Sequence, residues 1–87
     1  MKSYEIEFST SADKALSKLD APIRQRIADR ITKLAANPRP RGAKKLAGAA
    51  EYLRIREGDY RIIYQVKDAV LTILIIRIGH RREVYKL

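Results

Sequence analysis

Tyr4, Ile6 and Phe8 alternate with Glu5, Glu7 and Ser9, the two-residue period of a strand that buries one face. Thr10 or Ser11 offers a cap for a following helix, with Asp13 favourably placed in its first turn, and Ala12, Ala15, Leu16 and Leu19 form its apolar stripe. Asp20 offers a second cap with Pro22 close behind, and Ile23, Ile27, Ile31 and Leu34 then recur at helical spacing until Asn37-Pro38 ends the run. A helical hairpin is predicted. Residues 38–48, PRPRGAKKLAG, have no period and read as a basic loop with Leu46 as an anchor. Three strand-like runs follow, EYLRIR, YRIIYQV and AVLTILIIRI, separated by Glu57-Gly58-Asp59 and by Lys67-Asp68, both short enough for hairpin turns. The third run is almost continuously apolar, as expected of a central strand covered on both faces.

The order strand, two-helix hairpin, antiparallel three-stranded meander (β-α-α-β-β-β) is an α+β pattern with the helices on one face of the sheet. The other face is left free. Eighty-seven residues, 46% of them hydrophobic and 33% charged, suit one folded domain over residues 1–87 and leave no room for a second. No window is apolar for long enough to cross a bilayer, and Lys2, Glu5 and Glu7 stand where a signal peptide would need apolar residues. A cytoplasmic chain is expected, with no membrane partner. The absence of cysteine excludes a disulfide framework, a thiol nucleophile and a cysteine metal site, and His80 is the only histidine. Neither a metal nor a cofactor is expected.

Charge sharpens the picture. The net charge is +9, and it is unevenly spread. Residues 1–20 carry three basic and four acidic side chains, residues 21–37 four and one, and residues 38–87 twelve and five. Polymers rich in phosphate are the commonest partners of such a surface, because neutralising their charge releases condensed counterions. Arg39, Arg41, Lys44 and Lys45 in the loop, with Arg77 and Arg82 farther on, are the candidate contacts to RNA. A solvated basic face, or an acidic protein partner, is the competing reading.

On the free face the candidate chemistry is more concentrated. Arg54 and Arg56 project together, while Leu53 and Ile55 point to the core. With Gly58-Asp59 as a two-residue turn, Arg56 falls opposite Arg61 and Arg54 opposite Ile63. Like charges facing each other destabilise a sheet, so this crowding points to an external anion. In Gly79-His80-Arg81-Arg82-Glu83-Val84-Tyr85 the glycine permits a bend towards the same patch. His80 is a candidate for proton transfer, and Tyr85 for stacking on a base or for burial at the sheet edge. No paired carboxylates, nucleophile elbow or phosphate-binding glycine loop occurs in the chain. An arginine cluster without those groups is suited to cleaving RNA by positioning the ribose 2′-hydroxyl for attack on its own phosphate.

The segment LRIREGDYRIIYQV, the hydrophobic strand after it and the tail GHRREVY resemble the RelE family of bacterial and archaeal toxins, and the likeness runs over nearly the whole chain. The resemblance implies a toxin that enters the ribosomal A site, cleaves translated mRNA and is neutralised by a cognate antitoxin in a hetero-oligomer. Carried over by position, it implies catalytic roles for Arg54, Arg56, Arg61, Arg81 and Tyr85, with His80 added on chemical grounds. The family's best-known type has lysines at the two positions before the turn, one of them arguable as general base. Here both are arginines, which hold their protons, so His80, Tyr85 or plain electrostatic assistance from Arg61 and Arg81 takes that role. The alternative implied by the same resemblance is a ParE-like toxin without catalysis that inhibits DNA gyrase.

Overall fold

The computed structural model describes residues 3–46 and 49–80. Strand β1 (Glu5–Phe8) leads into helices α1 (Thr10–Ser17) and α2 (Ala21–Leu34), followed by β2 (Lys44–Leu46), β3 (Ala49–Glu57), β4 (Tyr60–Lys67), a 3-10 turn (Asp68–Val70) and β5 (Thr72–His80). The five strands form one sheet in the order β1-β5-β4-β3-β2. The α+β class, the helical hairpin and the antiparallel run of β3, β4 and β5 are as the periodicity predicts. Three features differ. The sheet is mixed, because β1 lies parallel to β5. Part of the basic loop, Lys44–Leu46, is a strand against β3. The apolar strand β5 is second in the sheet rather than central, covered at its outer edge by β1, and β4 takes the middle.

Ser9, rather than Thr10 or Ser11, caps α1, its hydroxyl accepting the Ala12 amide at 3.0 Å. Asp20 occupies the cap position of α2 with proline in the first turn, but its side chain makes no capping hydrogen bond. The Arg24 guanidinium instead bonds the Leu19 carbonyl at 3.0 Å, closing the junction between the helices. Between β4 and β5 the connection is longer than a tight hairpin and ends on Leu71, whose φ of 48° lies in the left-handed region. The Leu71 carbonyl accepts the Glu5 amide at 2.8 Å, so this corner also anchors the start of β1.

The core lies between the helices and one face of the sheet. Ala12, Ile27, Ile31 and Leu34 from the helices meet Ile55, Ile62, Tyr64, Ile73, Ile75 and Ile78 from the strands, all at most 4% exposed. Burial at that level contributes about 2 kcal/mol for each large aliphatic side chain. Among the described residues no helix covers the opposite face, which carries the candidate site.

Candidate nucleic-acid interface

Glu57 pairs with Tyr60, so Gly58-Asp59 is a two-residue turn. Gly58 takes φ 60°, which costs a residue with a side chain but not glycine. The turn sets the register: Arg56 lies opposite Arg61, and Arg54 opposite Ile63. On the outer side of β3, Lys44 pairs with Arg54 and so joins the same face. Gly42, Lys44, Arg54, Arg56 and Arg61 line a cavity of about 310 Å³. Arg56 is exposed and its Nε reaches the Gly58 carbonyl at 3.3 Å, while Arg54 and Arg61 are half-buried.

Arg77 reaches this face because of an irregularity in β5. Ile63 pairs with Arg77 but its neighbour Tyr64 pairs with Ile75, leaving Ile76 as an extra residue, a β-bulge. Ile73 and Ile75 face the core, and strict alternation would send Arg77 there too. The bulge turns Arg77 onto the arginine face and returns Ile78 to the core. Ser9 holds the bulge: its amide bonds the Ile75 carbonyl at 2.9 Å and its hydroxyl donates to the Ile76 carbonyl at 2.7 Å. Ile63, between Arg54 and Arg77, is 1% exposed although it lies outside the helix-side cluster. Ile63 is thus an apolar position flanked by arginines in the strands on either side.

His80 lies elsewhere. The bend expected at Gly79 is absent: β5 runs through Gly79 and His80, and His80 pairs with Tyr60. Tyr60 shares its side of β4 with Ile62 and Tyr64, so His80 faces the helices. The two rings meet edge to face, centroids 5.8 Å apart. A cavity of about 780 Å³ beside them is lined also by Thr10 and Lys14 of α1 and by its C-cap, Lys18. Strand alternation thus separates His80 from Arg54, Arg56 and Arg61, and it is not a candidate for proton transfer among them.

The loop residues divide in the same way. Arg39 forms an ion pair with Asp68, Nη2 to Oδ2 at 2.9 Å, beyond the end of β4 opposite to the Gly58 turn. The Tyr4 hydroxyl donates to Asp68 Oδ1 at 2.6 Å; that bond raises the Tyr4 pKa, and the Asp68 carboxylate raises that of Arg39. Arg39 therefore ties the loop down. Tyr64, fully buried, donates its hydroxyl to the Pro38 carbonyl at 2.7 Å, and burial pushes its pKa up to about 12 against the opposing effect of Arg39 and Arg30. Arg41 and Lys45 are exposed, Lys45 paired with Leu53 and so on the other side of β2 from Lys44. Arg81, Arg82 and Tyr85 lie outside the described residues. No group of three metal-ligating side chains occurs among the described residues.

The geometry assembles Lys44, Arg54, Arg56, Arg61 and Arg77 on one face. Pattern reading finds the three arginines of the hairpin because a tight turn relates them locally. It names Lys44 only as a loop contact to RNA, because a three-residue strand is too short to show a period, and it gives no sign of the bulge that redirects Arg77.

The family model described as ParE toxin of type II toxin-antitoxin system, parDE, matches residues 6–85. The chain belongs to this family. Within the RelE/ParE superfamily it is RelE-like: a putative RelE-like toxin protein of Escherichia coli is 34% identical, over 97% of this chain and 92% of that one. The mRNA interferase toxin RelE of Escherichia coli K12 is 30% identical over 94% of this chain and 90% of its own length. Among solved structures, a chain of the toxin-antitoxin complex RelBE2 from Mycobacterium tuberculosis superposes with a TM-score of 0.79 at 31% identity, over 91% of this chain and 99% of that chain. The chain is thus a RelE-like toxin of the type II toxin-antitoxin class.

Proposed function

We propose that this toxin is a ribosome-dependent endoribonuclease that cleaves mRNA in the A site and so stops translation. The observation that carries the reading is the Arg56–Arg61 pair, directly opposed across β3 and β4, with Arg54, Lys44 and Arg77 on the same face. A phosphodiester lying between two opposed guanidiniums is held by charge-assisted hydrogen bonds from both. In the proposed reaction the 2′-oxygen attacks its own phosphorus, the guanidiniums of Arg54, Arg56, Arg61 and Arg81 hold the non-bridging oxygens, and Tyr85 stacks on a base. Charge developing on those oxygens is stabilised by fixed cations without reorganisation, and no metal is required for that step. Arg41, Lys45 and Arg82 supply general affinity for ribosomal RNA. The likeness to proteins named mRNA interferase supports the reading.

A cognate antitoxin in a hetero-oligomer is the proposed protein partner, in line with the complexes in which solved relatives occur. The proposed site of action is the cytoplasm, where translating ribosomes are. Among the described residues no helix is long and apolar enough to cross a membrane. The test is induction without antitoxin, followed by mapping of RNA 5′ ends against ribosome position. New ends within codons of translated regions are expected, and Arg61→Ala and Arg81→Ala should abolish them. Intact mRNA with a DNA-damage response would overturn the reading in favour of a ParE-like gyrase inhibitor.

A further inference from the structure

We propose that Lys44 is the proton donor to the departing 5′-oxygen; the inference rests on the RNA-cleavage reading above. When the 2′-oxygen attacks, the O2′–P bond forms, the P–O5′ bond breaks and its electron pair stays on the 5′-oxygen. The 2′-hydroxyl proton passes to water, leaving a 2′,3′-cyclic phosphate and a 5′-hydroxyl. A ribose alkoxide leaves badly unless it is protonated as the bond breaks. Guanidinium groups stabilise charge there but do not release a proton. An ammonium group is charged at neutral pH and far more acidic than the alcohol it would create, so the transfer is downhill, and the amine regains its proton from water.

Position singles out Lys44. It pairs with Arg54 and lines the cavity of about 310 Å³ together with Arg54, Arg56 and Arg61. Among the described residues, the histidine and the tyrosines near the sheet are misplaced: His80 and Tyr60 face the helices, and Tyr64 is buried with its hydroxyl on the Pro38 carbonyl. Tyr52 shares the arginine side but sits opposite Gln65, farther from the turn, and does not line the cavity. The segment carrying Lys44 is held at several points. Pro38 is bonded by Tyr64, Arg39 by Asp68, and the Ala43 amide by the Pro40 carbonyl at 2.9 Å. Gly42 lies beside the Arg30 guanidinium, whose Nη2 a side chain there would meet at 3.4 Å, an ordinary van der Waals distance.

The test uses the full chain and mRNA on programmed ribosomes, with either oxygen or sulfur at the bridging 5′ position of the cleaved bond. A thiolate leaves without protonation. Lys44→Ala should slow cleavage of the oxygen substrate by roughly 100-fold or more and cleave the sulfur substrate at close to the wild-type rate, which also shows that the variant is folded. Lys44→Arg, which keeps the charge but not the transferable proton, should behave like Lys44→Ala. Arg61→Ala should be slow on both substrates. Equal slowing of Lys44→Ala on both substrates, wild-type rates on the oxygen substrate, or full activity of Lys44→Arg would each overturn the proposal while leaving the nuclease reading intact. Failure of the wild-type chain to cleave either substrate would overturn that reading, and this step with it.

Discussion

Tyr64→Phe removes one oxygen from the centre of the molecule and tests how the core holds the loop beside the site. The ring is fully buried and its hydroxyl donates to the Pro38 carbonyl at 2.7 Å. Losing a neutral hydrogen bond of this kind costs about 1 kcal/mol net, so at neutral pH the variant should be less stable by that amount. Alkaline pH should close the gap. In the folded chain the hydroxyl holds its proton up to about 12, whereas in the unfolded chain it ionises near the ordinary tyrosine value of about 10. Between those values the unfolded state binds fewer protons, so wild-type stability falls as pH rises. Two pKa units correspond to about 2.7 kcal/mol, which screening at the loop side of the ring reduces to about 1–2 kcal/mol. Phenylalanine has no such dependence. Tyr4, also raised by its bond to Asp68, contributes with the same sign in both proteins and cancels in the difference. Urea unfolding followed by circular dichroism at several pH values from neutral to about 11.5 measures that difference. The two stabilities should converge or cross above about pH 11. A variant that matches the wild type at neutral pH, or that keeps the full alkaline decline, would refute the assignment of Tyr64 as a buried donor.

Ile63→Ala should cost about 2–4 kcal/mol in urea unfolding, because Ile63 is buried on the arginine face, outside the helix-side core. Ser9→Ala removes both the α1 cap and the bond to the bulge; a loss of about 1–2 kcal/mol in thermal or urea unfolding is expected. It should also weaken RNA binding non-additively with Arg77→Ala in a double-mutant cycle, since the bulge aims that arginine. Asp68→Asn breaks an exposed ion pair, both side chains more than half exposed, and should cost less than about 1 kcal/mol, a difference that shrinks further in high salt. Arg56→Ala and Arg61→Ala should leave the fold in place, as judged by circular dichroism, while each lowers the slope of log affinity for RNA against log salt by about one.

What the sequence determined by itself was whatever depends on neighbours along the chain. The alternation of Tyr4, Ile6 and Phe8, the helical spacing of Ile23, Ile27, Ile31 and Leu34, and the Gly58-Asp59 turn are local patterns, and each element formed where its pattern lay. The same turn made Arg54, Arg56 and Arg61 legible as one cluster, because a two-residue hairpin leaves a single register. Only the tertiary structure decided the rest, because each remaining feature depends on partners distant in sequence. The parallel pairing of β1 with β5 joins residues 5–8 to residues 72–75, and nothing in either run names the other. Lys44 entered the site only by pairing with β3, in a strand too short to carry a period. The Ile76 bulge, pinned by Ser9 from the opposite end of the chain, moved Arg77 from the side that alternation assigns it to the arginine face, while the unbroken run of β5 left His80 with Tyr60 on the helix side. A period of two specifies a side chain's face only until one residue is inserted; whether one is inserted is decided by the hydrogen bonds that hold it.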